Sequence, residues 1–196
     1  MLKPALFLCS LFSTLLIAGC SEPPVETHAP ISWQTNLPKA NVPADFVPAI
    51  SESVYVPVYS HIYHEDAQRV TLLVGTLSIR NTDSHKPLII KSVRYYDTEG
   101  QLIQSLLSTP VTLGPFGTAE VVVPRTNEKG GSGANFVVDW MSADKVHEPI
   151  IEAVMVSTGA AQSVSFSSRG VVIDRTESSS SKKTDKSEIR KDAEGH

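Results

Sequence analysis

Two histidines three positions apart, His61 and His64, are the side chains in this sequence best suited to bind a metal ion. Imidazole nitrogens bind zinc and copper, and Glu65 and Asp66 directly after them would add carboxylate oxygens. In a turn both imidazoles would reach one ion, whereas in a β-strand residues three apart point to opposite faces. The sequence therefore leaves two interpretations: a metal or small-ligand site, or a loop with exposed polar histidines.

The tyrosines form a second set with chemical potential, because all five fall into two short stretches of sequence. They are Tyr55, Tyr59, Tyr63, Tyr95 and Tyr96. Packing in the core and between strands is the default explanation for such rings. The alternative is an aromatic recognition patch, formed where the first strand of the domain meets the strand that ends at Tyr96. This patch requires that most of the rings are not fully buried.

The other reactive residue types do not form a catalytic pattern. The glycine-rich stretch from Gly130 to Gly133 lacks both the dinucleotide-binding spacing and a P-loop lysine, so a tight loop is favoured over a phosphate cradle. Ser132 is not part of a Gly-x-Ser-x-Gly nucleophile elbow. Asp97 and Glu99 suit the polar positions of a hairpin turn rather than the paired carboxylates of a glycosidase. We therefore predict no catalytic residues, no cofactor and no enzymatic activity.

The first twenty residues have the pattern of an export signal. Lys3 supplies a positive start, and the apolar stretch from Leu6 to Ile17 is too short for the roughly 20 residues of a membrane-spanning helix. The sequence Ile17-Ala18-Gly19-Cys20 resembles the lipobox of bacterial lipoproteins. That resemblance implies that Cys20, whose thiolate is a good nucleophile, becomes the acylated N-terminus. The alternative is an ordinary cleaved signal that ends near a cysteine.

Acylation of Cys20 would determine both the cysteine chemistry and the location of the protein. Cys9 leaves with the signal, so no cysteine remains for a disulfide, and the two or three acyl chains make a durable membrane anchor. Ser21 stands where an Asp would retain an enteric-type lipoprotein at the inner membrane, a resemblance that implies the outer membrane. The sequence thus predicts a lipid-anchored envelope protein, at the outer membrane facing the periplasm of a Gram-negative bacterium.

Composition divides the chain into four predicted segments. Residues 1–19 are the signal peptide, and residues 20–50 are the lipidated cysteine with a linker that carries six prolines. This composition predicts a semi-extended tether of at most roughly 90 Å. Trp33 and Phe46 are more apolar than a spacer requires, and whether they dock on the domain is left open. Residues 51–173 form one domain, and the charged residues 174–196 are predicted to be a disordered tail.

The domain reads as strands throughout, with glycine, proline and polar residues between them. Eight runs of alternating or β-branched residues predict an all-β fold: an antiparallel, immunoglobulin-like β-sandwich of about seven to nine strands. A closed barrel uses the same strands and is the alternative. The residues predicted to face the core on the clearest strands are Leu73, Leu77, Ile79, Val93, Tyr95, Phe136, Val138 and Trp140.

Four motifs of the domain together resemble one bacterial family. They are the stretches Val54 to His64, Thr76 to Asp83, Tyr95 to Gly100 and Gly131 to Phe136. They are similar to the lipoprotein-type family filed as domain of unknown function 3124, and the likeness covers nearly all of residues 51–173. The resemblance implies no activity, because that family has none assigned.

The net charge and the absence of catalytic motifs argue against a nucleic-acid-binding protein and against an enzyme. The formal net charge of −4 offers no long-range attraction to a phosphate backbone, so we expect no nucleic-acid partner. A membrane anchor joined to a domain without catalytic motifs predicts a non-catalytic binding or structural module, whose partner is an envelope protein or polymer. The alternative function is binding of a metal or small ligand through His61 and His64.

Overall fold

The structure is a computed structural model that describes residues 29–159 and 163–178 of the 196-residue chain. Within these residues the backbone forms strands, turns and loops and no helix. Among them there is accordingly no helix long and apolar enough to cross a membrane. The predicted signal segment, Cys20 and all of the predicted tail beyond Ser178 lie outside the described residues.

Thirteen strands, numbered in chain order, make up this part of the chain. They are β1 (Ser32–Trp33), β2 (Ile50–Pro57), β3 (His61–His64), β4 (Asp66–Leu72), β5 (Val74–Arg80), β6 (Leu88–Tyr96), β7 (Leu102–Ser105), β8 (Val111–Leu113), β9 (Thr118–Val123), β10 (Asn135–Ser142), β11 (Ile150–Ser157), β12 (Val164–Arg169) and β13 (Val171–Glu177). Their residues alternate between buried and less buried along most strands, as the period of two in a pleated strand requires.

The strands pair in two antiparallel sheets that share one core. One sheet has the order β1-β9-β5-β11-β12, and the other has the order β13-β2-β10-β6-β7 with β8 also paired to β6. The remaining strands, β3 and β4, form a separate two-stranded hairpin. The predicted antiparallel, immunoglobulin-like sandwich is confirmed, but its two sheets hold eleven strands rather than the predicted seven to nine. The barrel alternative is wrong because neither sheet closes on itself or on the other.

The core lies between the two sheets, and the predicted inward faces are the observed ones. All eight residues predicted to face the core are no more than 1% exposed. Burying a side chain of this size stabilises the fold by about 1.5–3 kcal/mol. Alternation in the sequence therefore located the core correctly on β5, β6 and β10.

The segment predicted to be a tether belongs to the sandwich from Ala29 onward. Ser32 and Trp33 pair with Val122 and Val121 of β9, and Lys39 forms a bridge with Val111. Trp33 is partly buried and packs against the core. The prolines do not prevent this pairing, because a two-residue strand and an isolated bridge need only a few backbone N–H donors, and non-proline residues supply them. The tether prediction is therefore wrong for residues 29–40, and of the two alternatives for Trp33 the docked one is observed.

The C-terminal boundary also differs from the prediction. Strand β13 continues to Glu177, and its residues from Asp174 pair with β2. An edge strand exposes most of its side chains, so β13 needs little apolar character. The charged composition that predicted disorder from residue 174 is here the composition of a solvated edge strand.

The described chain starts at one end of the sandwich and finishes at the other. The hairpin end comprises β3, β4, the turn 97–100 and the loop 124–134, and the opposite end comprises the loops 81–87, 114–117 and 143–149. The described chain starts at the hairpin end, where the Asn127 side chain donates a hydrogen bond of 3.1 Å to the Ala29 carbonyl. It ends at the opposite end, where the Ser178 amide donates to the Ala49 carbonyl at 3.1 Å.

Candidate functional site

A recess of about 320 Å³ opens at the hairpin end, where three segments that are distant in sequence meet. Sites for small molecules span about 300–1,000 Å³, so the volume lies at the lower end of that range. We call this feature the hairpin recess. Its lining residues are His61, Tyr63, Thr98, Glu99, Glu128, Lys129, Gly130, Gly131 and Ser132.

The floor of the hairpin recess is held in place by the fully buried Tyr95. Its hydroxyl lies 3.2 Å from the Ser60 hydroxyl, and burial raises the pKa of Tyr95, so the phenol stays neutral. A Cβ at Gly130 would overlap the Tyr95 hydroxyl and would lie 2.7 Å from the Ala134 Cβ. Glycine is thus required at 130 by close packing, in agreement with the prediction of a tight loop.

Thr98 fastens the same loop from the side. Its hydroxyl donates to the Gly130 carbonyl and accepts from the Gly133 amide, both at 3.0 Å. The Ser60 amide donates to the carbonyl of Gly131, whose φ of +74° favours glycine. These bonds fix the backbone without a ligand, so the hairpin recess is pre-formed.

One wall of the hairpin recess consists of two rings from β3. His61 and Tyr63 meet edge to face, with ring centroids 5.4 Å apart and an interplanar angle of 84°. Tyr63 is 54% exposed, and the half-buried His61 has an Nδ1 atom with no hydrogen-bond partner in the structure. The wall therefore offers an exposed aromatic ring next to an imidazole.

The rim carries charge of both signs. Glu99, Glu128 and Lys129 are all exposed, so the rim has one more negative than positive charge. The arrangement is suited to holding a polar ligand by hydrogen bonds and ring contact.

The structure does not assemble the predicted metal ligands. Both histidines lie on β3, but only His61 lines the hairpin recess. Asp66 accepts the amides of Gln68 and Arg69 at 2.9 and 3.0 Å, and the Arg69 side chain contacts Glu65. The described residues hold no group of three or more His, Cys, Asp or Glu side chains placed to bind a metal ion.

The tyrosines are dispersed rather than gathered into one patch. Tyr95 lies under the floor of the hairpin recess, Tyr63 is in its wall, and Tyr59 packs edge to face on Phe166 with centroids 5.7 Å apart. Tyr55 and Tyr96 are both half-buried, on β2 and β6. Only Tyr95 of the five is fully buried, so the condition set for a recognition patch is met. Strands β2 and β6 do not meet directly, because β10 lies between them and pairs with both, and the patch stays a prediction.

The sequence analysis did not predict a charged cluster that lies between β2 and β13. Glu52 is 3% exposed, and its Oε2 accepts a hydrogen bond of 3.1 Å from the Trp140 indole. Arg175 lies 3.1 Å from Glu52 Oε1 and 2.7 Å from carboxylate oxygens of both Glu148 and Glu177. Desolvation raises the pKa of Glu52 despite the opposing attraction of Arg175.

This cluster fastens β13 to β2 rather than forming a binding site. A recess of about 480 Å³ beside it is lined partly by Arg175 and Glu177, yet the guanidinium is already engaged by three carboxylates. One signal in the sequence pointed to it. Glu52 shares the inward face of β2 with Ile50, Val54 and Val56, and a carboxylate at such a position requires a partner.

The fold and the hairpin recess together define an all-β sandwich domain with a pre-formed polar recess. The chain belongs to the family described as "Protein of unknown function (DUF3124)", whose model matches residues 51–173. The resemblance seen in the sequence is thereby confirmed for the domain, and its lipoprotein character stays a prediction. No curated protein and no solved structure matches the chain. Function must therefore be argued from the site itself.

Proposed function

We propose that this protein is a lipid-anchored component of the bacterial cell envelope and that its sandwich is a non-catalytic binding module. The observation that carries the proposal is the hairpin recess, a pre-formed polar site whose backbone is fixed by Thr98, Ser60 and Tyr95. A rigid site loses little conformational entropy on binding. The partner is an envelope protein or polymer that presents a polar group to this recess.

The position of the predicted anchor supports a partner close to the membrane. Cys20 precedes Ala29, the first described residue, by nine positions. Nine extended residues span at most about 30 Å, a third of the tether length that the sequence suggested. The hairpin recess is at the end of the sandwich where the described chain begins, so an acylated Cys20 would keep it near the lipid surface.

Photo-crosslinking in intact cells tests the binding role. A photoreactive amino acid replaces Tyr63 in the wall of the recess, and the matched variant carries it at Phe116, which is 71% exposed at the opposite end. We expect a specific adduct from position 63 that is absent from position 116. The same adducts from both positions, or none from position 63 across several growth conditions, would contradict the proposal.

The anchor is tested separately. Mass spectrometry of the N-terminal peptide should show acylated Cys20, and Cys20→Ala should move the protein from the membrane fraction to the soluble fraction. An unmodified Cys20 in the wild-type protein would overturn the lipid-anchored part of the proposal.

A further inference from the structure

We propose that the hairpin end of the sandwich faces the bilayer that holds the lipid anchor, and that the β3–β4 hairpin rests on that lipid surface through Tyr63 and Val70. This inference rests on the proposed acylation of Cys20. It adds an orientation and a second membrane contact, neither of which the proposed function requires.

The length of chain before the domain determines the orientation. Ala29 is held at the hairpin end by Asn127, and Ile31 is buried in the core two residues later. The eight residues of β2 run from one end of the sandwich to the other, which corresponds to about 26 Å. If the opposite end faced the bilayer, the nine-residue connection of at most about 30 Å would be used up along the side of the sandwich. If the hairpin end faces the bilayer, the connection does not have to run along the sandwich, and its full length is available to reach the lipid.

The hairpin presents a surface suited to a lipid interface. Tyr63 and Val70 are cross-strand partners, 54% and 40% exposed. A tyrosine ring has an apolar body and a polar tip, which places it favourably at the boundary between lipid and water. The hairpin pairs with neither sheet, so this ring and its aliphatic partner lie outside both sheets of the sandwich.

The charges of the hairpin favour a lipid surface without net charge. Arg69 contacts Glu65 and lies 3.7 Å from an Asp66 oxygen, which reduces the cost of bringing these groups close to lipid. Together these three side chains carry one net negative charge, and the rim of the hairpin recess carries another. The hairpin end therefore has no basic patch to attract anionic lipids.

Exposed apolar residues occur at both ends of the sandwich, so exposure alone does not choose between them. Phe116, in the turn between β8 and β9, is 71% exposed at the opposite end. The entry point of the chain makes the choice. This gives a matched pair of positions, one at each end, for measuring distance to the bilayer.

The experiment uses the full chain, purified in detergent and reconstituted into phosphatidylcholine vesicles that carry a headgroup quencher. A fluorophore is attached at Gln68→Cys on the hairpin or at Phe116→Cys at the opposite end; both positions are exposed. Acylated Cys20 does not react with the dye. We expect several-fold stronger quenching at position 68. Equal quenching at both positions, or stronger quenching at 116, would overturn the orientation.

A second variant separates contact from orientation. Tyr63→Ser with Val70→Ser, added to the Gln68→Cys protein, should weaken quenching at 68 while the protein stays on the vesicles. Unchanged quenching would show that the hairpin faces the bilayer without touching it and would overturn the contact. The mass of the N-terminal peptide is measured on the same sample. An unmodified Cys20 rejects the proposed anchor, whereas an acylated Cys20 with equal quenching rejects only the orientation.

Discussion

The two ends of the sandwich are closed by different kinds of interaction. At the hairpin end, the glycine backbone packs over the buried Tyr95, and the exposed side chains around the recess have few partners. At the opposite end, side chains bond to backbone: Asn81 Nδ2 donates to the carbonyls of Lys86, Leu113 and Gly114. Asp83 there accepts the amides of His85 and Lys86, both at 2.9 Å.

This difference separates stability from recognition. The side chains of Asn81 and Asp83 are committed to holding loops at the opposite end, so they are not free to bind another molecule. At the hairpin end the loop is fixed by the Thr98 hydroxyl, the Ser60 amide and close packing on Tyr95, which leaves Tyr63, Glu99 and Ser132 available. The comparison predicts that substitutions at the opposite end change stability, whereas side-chain substitutions in the hairpin recess change binding. Only the glycine floor of the recess and Thr98, whose hydroxyl fastens the same loop, should affect both.

The largest expected effect comes from Gly130→Ala in that floor. The added methyl group must displace the Tyr95 hydroxyl or the Ala134 side chain, which should lower the free energy of unfolding by about 3 kcal/mol. Denaturant unfolding measures this change. Gly114→Ala is the control, because a Cβ there meets nothing within 4 Å. Equal effects of the two substitutions would show that the floor is not tightly packed.

Next in size is the loss of Arg175, which leaves the buried Glu52 without its cationic partner. We expect Arg175→Ala to lower the unfolding midpoint clearly in the wild-type protein and much less in a Glu52→Gln background, where no charge needs compensation. Glu52→Gln itself should remain within about 1 kcal/mol of wild type, since the amide oxygen still accepts from Trp140. Equal losses in both backgrounds would refute a role for this pair in holding β13.

Lowering the pH should destabilise the opposite end of the sandwich through protonation of Asp83. Hydrogen bonds from the amides of His85 and Lys86 lower the pKa of Asp83 from 3.8 to about 2. Its contribution to stability is therefore present above pH 3.8 and is lost as the pH falls through about 2. Asp83→Asn should flatten the stability curve in that window. Glu52 acts in the reverse direction, because its raised pKa means that protonation favours the folded state.

The smallest effect on stability should come from Tyr63→Ser in the wall of the hairpin recess. An exposed side chain of this kind contributes little to folding, so unfolding should change by less than about 0.5 kcal/mol. Crosslinking from a neighbouring reporter at Ser132, in contrast, should lose its specific adduct. A stable variant that keeps the adduct would place the binding surface elsewhere.

Some features of the protein followed directly from residue pattern. Alternation predicted the inward faces of β5, β6 and β10, because a strand with one buried face must place an apolar residue at every second position. Four strands escaped prediction: β1 and β8 are only two and three residues long, and β3 and β4 are largely exposed. In addition, one of the eight predicted runs is two strands, β12 and β13, which belong to different sheets. Short or solvated strands carry no such pattern, since nothing requires their residues to be apolar.

The predicted domain boundaries at residues 51 and 173 were wrong for a related reason. Composition indicated a proline-rich tether before residue 51 and a charged tail after residue 173, yet Trp33 packs on the core and Arg175 is paired with Glu52. Both segments are held by pairing with strands far away in sequence, Trp33 to β9 and Arg175 to β2. Local composition does not report a partner that is more than eighty residues away.

The sequence by itself determined the fold class, the core faces and the family, because these depend on local periodicity and on motifs within single strands. It also placed His61, Tyr63 and the glycine loop among the residues of interest. Only the tertiary structure decided that these residues share one recess and that the described chain begins beside it. The physical reason is that strand order, and hence which loops meet at each end, results from pairing between strands that no local pattern encodes.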